Sequence, residues 1–370
     1  MTFSAVCKRA AALVAVGAIL TACGVPSDAR PEPGSSGSSS PTSATSSPAV
    51  ATTTLPGTKA ALSGTTFPMT VTDWNGQQTT FTEPPKRVAL VNGSSFNIWY
   101  DAGGTAVGIA NKSTSNKLLP DVEQQLADVP QLGPSRAIDA EKLTALNPDL
   151  VIAAGHSQEK LVESMQAMGV NVIGMTMRTR DDLQMAYEIF GALNGKHDQA
   201  KAKFDAIKAA ADEVVAKFPK EPKTKVAIVS VNPQGLTVKL PNSTAGEMAN
   251  QLGLDNVVKG VTANAPNSED APLDIEYLVK HQPDVILVTS HAGSNQIAKE
   301  RLEEHFNTNS AWQAVDAVRD GKVKFLPQEY FLLHAGPFYA DAMKYMAASV
   351  HPEIFGEPTQ PEHLGSPESR

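Results

Sequence analysis

The chain has 370 residues, 41% of them hydrophobic and 19% charged, enough to bury a sizeable core in two domains or one bilobal unit. Asp and Glu number 39 against 31 Lys and Arg, a formal net charge of −8, which argues against a nucleic-acid binder. The two cysteines, Cys7 and Cys23, both precede the folded body, which excludes a disulfide, a Cys-ligated zinc and a thiol nucleophile within it.

Lys8 and Arg9 form a positive start, followed by an apolar run over residues 10–22, AAALVAVGAILTA. Such a run is too short for a bilayer crossing of roughly 20 residues and fits the apolar region of a secretory signal. The segment Leu20-Thr21-Ala22-Cys23-Gly24 resembles a bacterial lipobox, whose cysteine is acylated and becomes the mature N-terminus. Residues 1–22 are therefore expected to be a lipoprotein signal peptide and Cys23 a membrane anchor rather than part of a membrane span. Residues 23–66, rich in Ser, Thr and Pro, are expected to be a disordered tether.

The stretch 70–82 reads as a hairpin, with Asn75-Gly76 suited to a type I′ turn. Short apolar runs then alternate with helical stretches: RVALV (87–91), AVGIA (106–110), DLVIAA (149–154) and NVIGM (171–175). The second half repeats the theme with KVAIVSV (225–231), DVILVTS (284–290) and KVKFLP (322–327). Runs of this kind imply parallel strands covered on both faces. Between the halves, Phe204, Ile207, Ala211, Val214, Val215 and Phe218 recur at spacings of 3 and 4, the mark of one long helix ended by Pro219 and Pro222.

The repeat is explicit. IDAEKLTALNPDLVIAAGH (138–156) aligns without gaps to LDIEYLVKHQPDVILVTSH (273–291), matching Asp139 to Asp274, Glu141 to Glu276 and His156 to His291. Each copy reads as an Asp-capped helix, a Pro-Asp turn and a buried strand. The expected fold class is α/β: two three-layer α/β lobes with mainly parallel sheets, joined by one long helix, with a ligand cleft between them. The expected boundaries are 67–197 for the N-terminal lobe, 198–219 for the connecting helix, 220–356 for the C-terminal lobe and 357–370 for a flexible tail.

In open α/β sheets a ligand sits beyond the carboxyl ends of the strands. That rule selects Asn92, Ser94 and Ser95 after the first strand, His156 and His291 at the repeated strand ends, and Met175 and Arg178 after NVIGM. It also selects Lys239 in LTVKLPN, and Tyr330 and His334 after KVKFLP. Arg and Lys suit the carboxylates or phenolates of a ferric chelate, while Tyr, His and Met are usual haem axial ligands. The chain contains no GxSxG elbow, phosphate-binding glycine loop or HExxH helix, so neither an enzyme nor a resident metal or cofactor is expected. A lipid-anchored hydrolase is the alternative of a different class, and it lacks a visible nucleophile–base pair.

The lipobox, the paired segments IDAEKLTALNPDLVIA and LDIEYLVKHQPDVILV, and the opening PPKRVALVNGSSFNIWYDAGGTAVGIA together resemble the cluster III substrate-binding proteins of ABC importers. The resemblance covers about residues 84–355. It implies a monomeric, lipid-anchored extracytoplasmic receptor that captures a small-molecule iron chelate, first a ferric siderophore and alternatively haem or cobalamin. It also implies delivery to permease subunits with their ATPase, with Glu141 and Glu276 docking into arginine pockets on the permease.

Overall fold

The computed structural model describes residues 51–112, 117–265, 268–291, 295–331 and 334–359. The signal peptide, Cys23 and most of the expected tether and tail lie outside these residues. Among the described residues, no helix is long and apolar enough to cross a membrane.

The first element corrects the expected tether. Strands β1 (Thr52–Thr54), β2 (Ala61–Ser63), β3 (Met69–Thr72) and β4 (Gln78–Phe81) form one antiparallel sheet in chain order, so folded structure begins before residue 66. Ala60 and Leu62 are buried with Met69 and Val71, while their neighbours face outward, the period of two that a half-buried strand requires. Two apolar side chains in a Thr- and Ser-rich stretch were enough to anchor it. The hairpin turn also differs from expectation. Gly76 N–H donates to Asp73 C=O at 2.9 Å, and only Gly76, at φ +86°, is left-handed, whereas a type I′ turn needs two such residues.

The N-terminal lobe is built on β5 (Val88–Leu90), β6 (Gly108–Ile109), β7 (Leu150–Ala154) and β8 (Asn171–Met175), all parallel in the order β6-β5-β7-β8. The C-terminal lobe contains β9 (Lys225–Asn232), β10 (Gly235–Lys239), β11 (Asp255–Asn256), β12 (Asp270–Pro272), β13 (Val285–Ser290) and β14 (Val323–Phe325). Its order is β12-β10-β9-β13-β14; β9, β13 and β14 are parallel, β11 joins β9 in parallel, and β10 and β12 are antiparallel additions.

The sequence repeat is a structural repeat. Asp149 accepts from Lys86 N–H at 2.7 Å and Arg87 N–H at 2.9 Å, at the start of β5. Asp284 accepts from Lys225 N–H at 2.8 Å, at the start of β9. Each Pro-Asp carboxylate thus pins the neighbouring parallel strand. The residues before the two prolines, Asn147 and Gln282, are both left-handed, at φ +46° and +44°. Gln282 is held there by its own side chain, which donates to Ala314 C=O at 2.8 Å and accepts from Asp316 N–H at 2.9 Å.

The connecting helix runs from His197 to Lys217. Phe218 then turns extended, at ψ 135°, as a residue before proline must. Phe204, Ala211, Val214 and Phe218 are buried in one apolar cluster. That cluster also holds residues of helix Arg180–Leu193 on the N-terminal side and of helix Tyr339–Val350 on the C-terminal side.

Candidate functional site

The N-terminal sheet order reverses between β5 and β7, which opens a crevice beyond their carboxyl ends. At the β5 exit, Asn92 Oδ1 accepts from Ser94 N–H at 3.1 Å, and Ser95 Oγ donates to Asn92 C=O at 2.6 Å. These groups build the turn Gly93–Ser95 that starts the next helix, and Ser95 is buried. At the β7 exit, exposed His156 has Nδ1 3.9 Å from Glu159 Oε1. Beside it, buried Gln158 ties three segments together: it accepts from Ala154 N–H at 2.6 Å and donates to Val91 C=O at 2.9 Å and Ser135 C=O at 2.5 Å. His156, Gln158, Glu159 and Lys160 line a cavity of about 400 Å³ together with Ser135 and Arg136.

The β8 exit is positioned from the first sheet. Asp73 Oδ2 accepts from Gly174 N–H at 2.8 Å, and a Cβ on Gly174 would meet Asn75 at 2.5 Å, so the hairpin lies directly on the strand. Trp74 Nε1–H donates to buried Asp182 at 3.0 Å. The other oxygen of Asp182 accepts from Arg178 N–H at 2.9 Å and Thr179 N–H at 3.0 Å. Arg178 is thereby presented to the opposite lobe, where its Nε lies 2.5 Å from Glu269 Oε1. The N–H does not point along that contact, which makes it an ion pair rather than an aligned hydrogen bond.

The C-terminal wall holds Lys239, Ser243, Thr244, Glu269, His291 and Phe331 around a cavity of about 60 Å³. Lys239 is buried and faces its cross-strand partner Asp270, with Nζ 3.0 Å from Oδ2. His291 is pulled below its ordinary pKa by the protein packed around its ring, then by the charges of Lys239 and of Arg136; Asp270 opposes the shift. The shift favours the neutral form of the ring. Arg136, whose charge reaches His291, belongs to the N-terminal lobe.

Four expected ligand residues turn away from the cleft: Ser95, whose buried hydroxyl is spent on Asn92 C=O in the turn after β5, and three others. Met175 is buried in the apolar core. Tyr330 lies in the short helix Gln328–Phe331, which rotates it fully inward and leaves Phe331 to line the cavity. Burial drives the Tyr330 hydroxyl pKa far up, and the hydroxyl has no hydrogen-bond partner among the described residues. His334 is also buried; its Nδ1 accepts from Gly336 N–H at 3.0 Å, and burial pulls its pKa down to about 4. Tyr330→Phe should accordingly leave stability unchanged or raise it by about 1 kcal/mol, since a buried unmade hydrogen bond is removed. Thermal unfolding checks this, and a clear loss of stability would mean that the hydroxyl has a partner.

Glu141 and Glu276 occupy matched, exposed places in the first turns of helices Ala140–Ala145 and Ile275–His281. Asp139 caps the first by accepting from Lys142 N–H at 3.0 Å, and Asp274 caps the second by accepting from Glu276 N–H at 2.9 Å. The capping is done by the aspartates, which leaves both glutamates without a part in it. Sequence reasoning missed Arg136, Gln158 and Glu269. None of the three follows a strand directly, and the spatial neighbours that give Arg136 and Glu269 their meaning lie in the other lobe.

A family model described as periplasmic binding protein matches residues 88–330. The Fe(3+)-citrate-binding protein YfmC of Bacillus subtilis is 22% identical over 247 residues, covering 66% of this chain and 74% of its own. The Fe(3+) dicitrate-binding periplasmic protein FecB of Escherichia coli is 22% identical over 278 residues, covering 74% of this chain and 87% of its own. Among solved structures, an ABC transporter substrate-binding protein from Listeria monocytogenes superposes with a TM-score of 0.62 at 23% identity, covering 73% of this chain and 99% of that one. Staphylococcus aureus IsdE complexed with heme superposes with a TM-score of 0.61 at 19% identity, covering 72% and 98%.

Proposed function

Because the chain belongs to the periplasmic binding protein family, whose cluster III members bind cargo for ABC importers rather than transform it, we propose that it captures a negatively charged ferric siderophore. The observation that carries this reading is the set of cations in the cleft, Arg136 and Arg178 from one lobe and Lys239 from the other. Guanidinium and ammonium groups complement the carboxylate or phenolate oxygens that a ferric chelate presents at its edge. The relatives named for ferric citrate agree with a carboxylate-bearing cargo.

Haem is the second reading and cobalamin the third. A haem cleft needs an axial ligand at its surface. Tyr330 and His334 are buried here, which leaves His156 and His291 for that role. Delivery goes to an ABC permease through Glu141 and Glu276, and Cys23 anchors the protein to the outer face of the cell membrane.

One preparation from the native host tests both parts. Wild-type protein should sediment with membranes and carry a broad charge-transfer band. Cys23→Ser should move to the soluble fraction with that band unchanged. A Soret band would replace the siderophore by haem, and a mutant retained on membranes would refute the anchor.

A further inference from the structure

The cleft neutralises its own cations unequally. Lys239 is paired with Asp270 and Arg178 with Glu269, two consecutive residues of one lobe. Arg136 makes no ion pair among the described residues.

The two pairs differ in kind. The Lys239 side chain is only 8% exposed, and a buried ammonium needs a fixed counter-charge, so Asp270 is part of the fold. Asp270 is also held by the hydroxyl of Thr237, which donates to it at 2.9 Å. Arg178 and Glu269 are each 29% exposed, so solvent or a ligand can reach both. Their contact lacks an aligned hydrogen bond, and it joins the two lobes. Glu269 itself stands on fixed backbone, since its carbonyl accepts from Leu240 N–H at 2.9 Å.

We infer that Glu269 is a charge-selecting residue: it occupies Arg178 across the cleft, and only a ligand carrying its own negative group displaces it. A neutral chelate gains nothing at Arg178 and has to fit beside an intact ion pair. An anionic chelate takes Arg178 over, frees Glu269 and unties the bridge between the lobes. This inference rests on the chelate reading of the cleft, while the bridge itself does not.

Full-length wild type and Glu269→Gln, a near-isosteric change at a partly exposed site, decide it. The probes are ferric citrate, an anion, and tris(acetohydroxamato)iron(III), which is neutral. Releasing Arg178 from its competing carboxylate should tighten ferric citrate binding by about tenfold. Binding of the neutral complex should change less than twofold. In an Arg178→Gln background the gain from Glu269→Gln should largely vanish. Without any chelate, hydrogen exchange of peptides spanning 174–180 and 239–246 should speed up in Glu269→Gln, as the bridge opens. Equal changes for both probes, or unchanged exchange, would overturn the inference while leaving the importer reading intact. If wild type binds neither probe, the iron-chelate reading falls, and the exchange experiment still decides whether Glu269 bridges the lobes.

Discussion

Asp182→Ala should lower the stability of the protein by at least about 3 kcal/mol, because three donors lose a charged acceptor and a hydrogen bond to a charged group is worth about 1.5–3 kcal/mol. The carboxylate is 6% exposed and serves three donors: the Trp74 indole and the amides of Arg178 and Thr179. Alanine leaves all three unanswered, and each buried donor without a partner costs about 1–3 kcal/mol. It also removes half of a capping box, because Thr179 Oγ1 accepts from Asp182 N–H while Asp182 accepts from Thr179 N–H. Asp182→Asn keeps one acceptor oxygen and should fall between wild type and alanine. Urea unfolding of the three proteins measures the series. A loss under about 1 kcal/mol for alanine would mean that water replaces the carboxylate and that the site is less closed than described. The same substitution should weaken ligand capture, since the backbone that aims Arg178 across the cleft loses its anchor.

Replacing Glu141 and Glu276 together by alanine should impair uptake strongly and leave capture intact. Both side chains are exposed, and neither contributes a cap or a strand clamp, so the fold loses only their interaction with the helix N-termini, roughly 0.3–1 kcal/mol each. If each enters an arginine pocket on the permease, removing it strands a desolvated partner charge, at a cost of about 2–5 kcal/mol per site. The double variant would then lose transport at least about tenfold, the factor that 1.4 kcal/mol represents. Affinity of the purified protein for ferric citrate should stay within twofold. Uptake that survives the double substitution would remove the docking role. Asp139→Ala is the contrasting control: it costs a helix cap worth about 1 kcal/mol and should spare transport.

The lobes were legible because their signals are local. Apolar runs such as 149–154 and 284–290 announce parallel strands, and the spacing from Phe204 to Phe218 announces the connecting helix. Even the clamp by Asp149 and Asp284 left a trace, the repeated Pro-Asp pair. The first two strands were hidden because Ala60 and Leu62 carry little hydrophobic signal among threonines, and the burial that fixes them comes from Met69 and Val71. Candidate site residues were legible to the level of the loop and no further. Tyr330 and Phe331 are adjacent, yet only Phe331 reaches the cleft, since the rotation of a short helix decides between them. Arg136 and Glu269 gain their roles only when two lobes approach, and no window of sequence contains that approach.

The apolar cluster that runs through the connecting helix makes the two lobes one thermodynamic body. Phe204 packs beside Tyr187 of the first lobe, with ring centroids 6.1 Å apart, and Phe218 packs beside His351 and Phe355 of the second, at 5.0 Å and 6.1 Å. Neither half carries a complete interior, so cutting the chain at the helix would strip both of a shared wall. Relative motion of the halves is then confined to small shear and rocking, because a dense interior resists larger distortion. Glu141 and Glu276 consequently stand at a nearly constant separation, like the jaws of a set calliper.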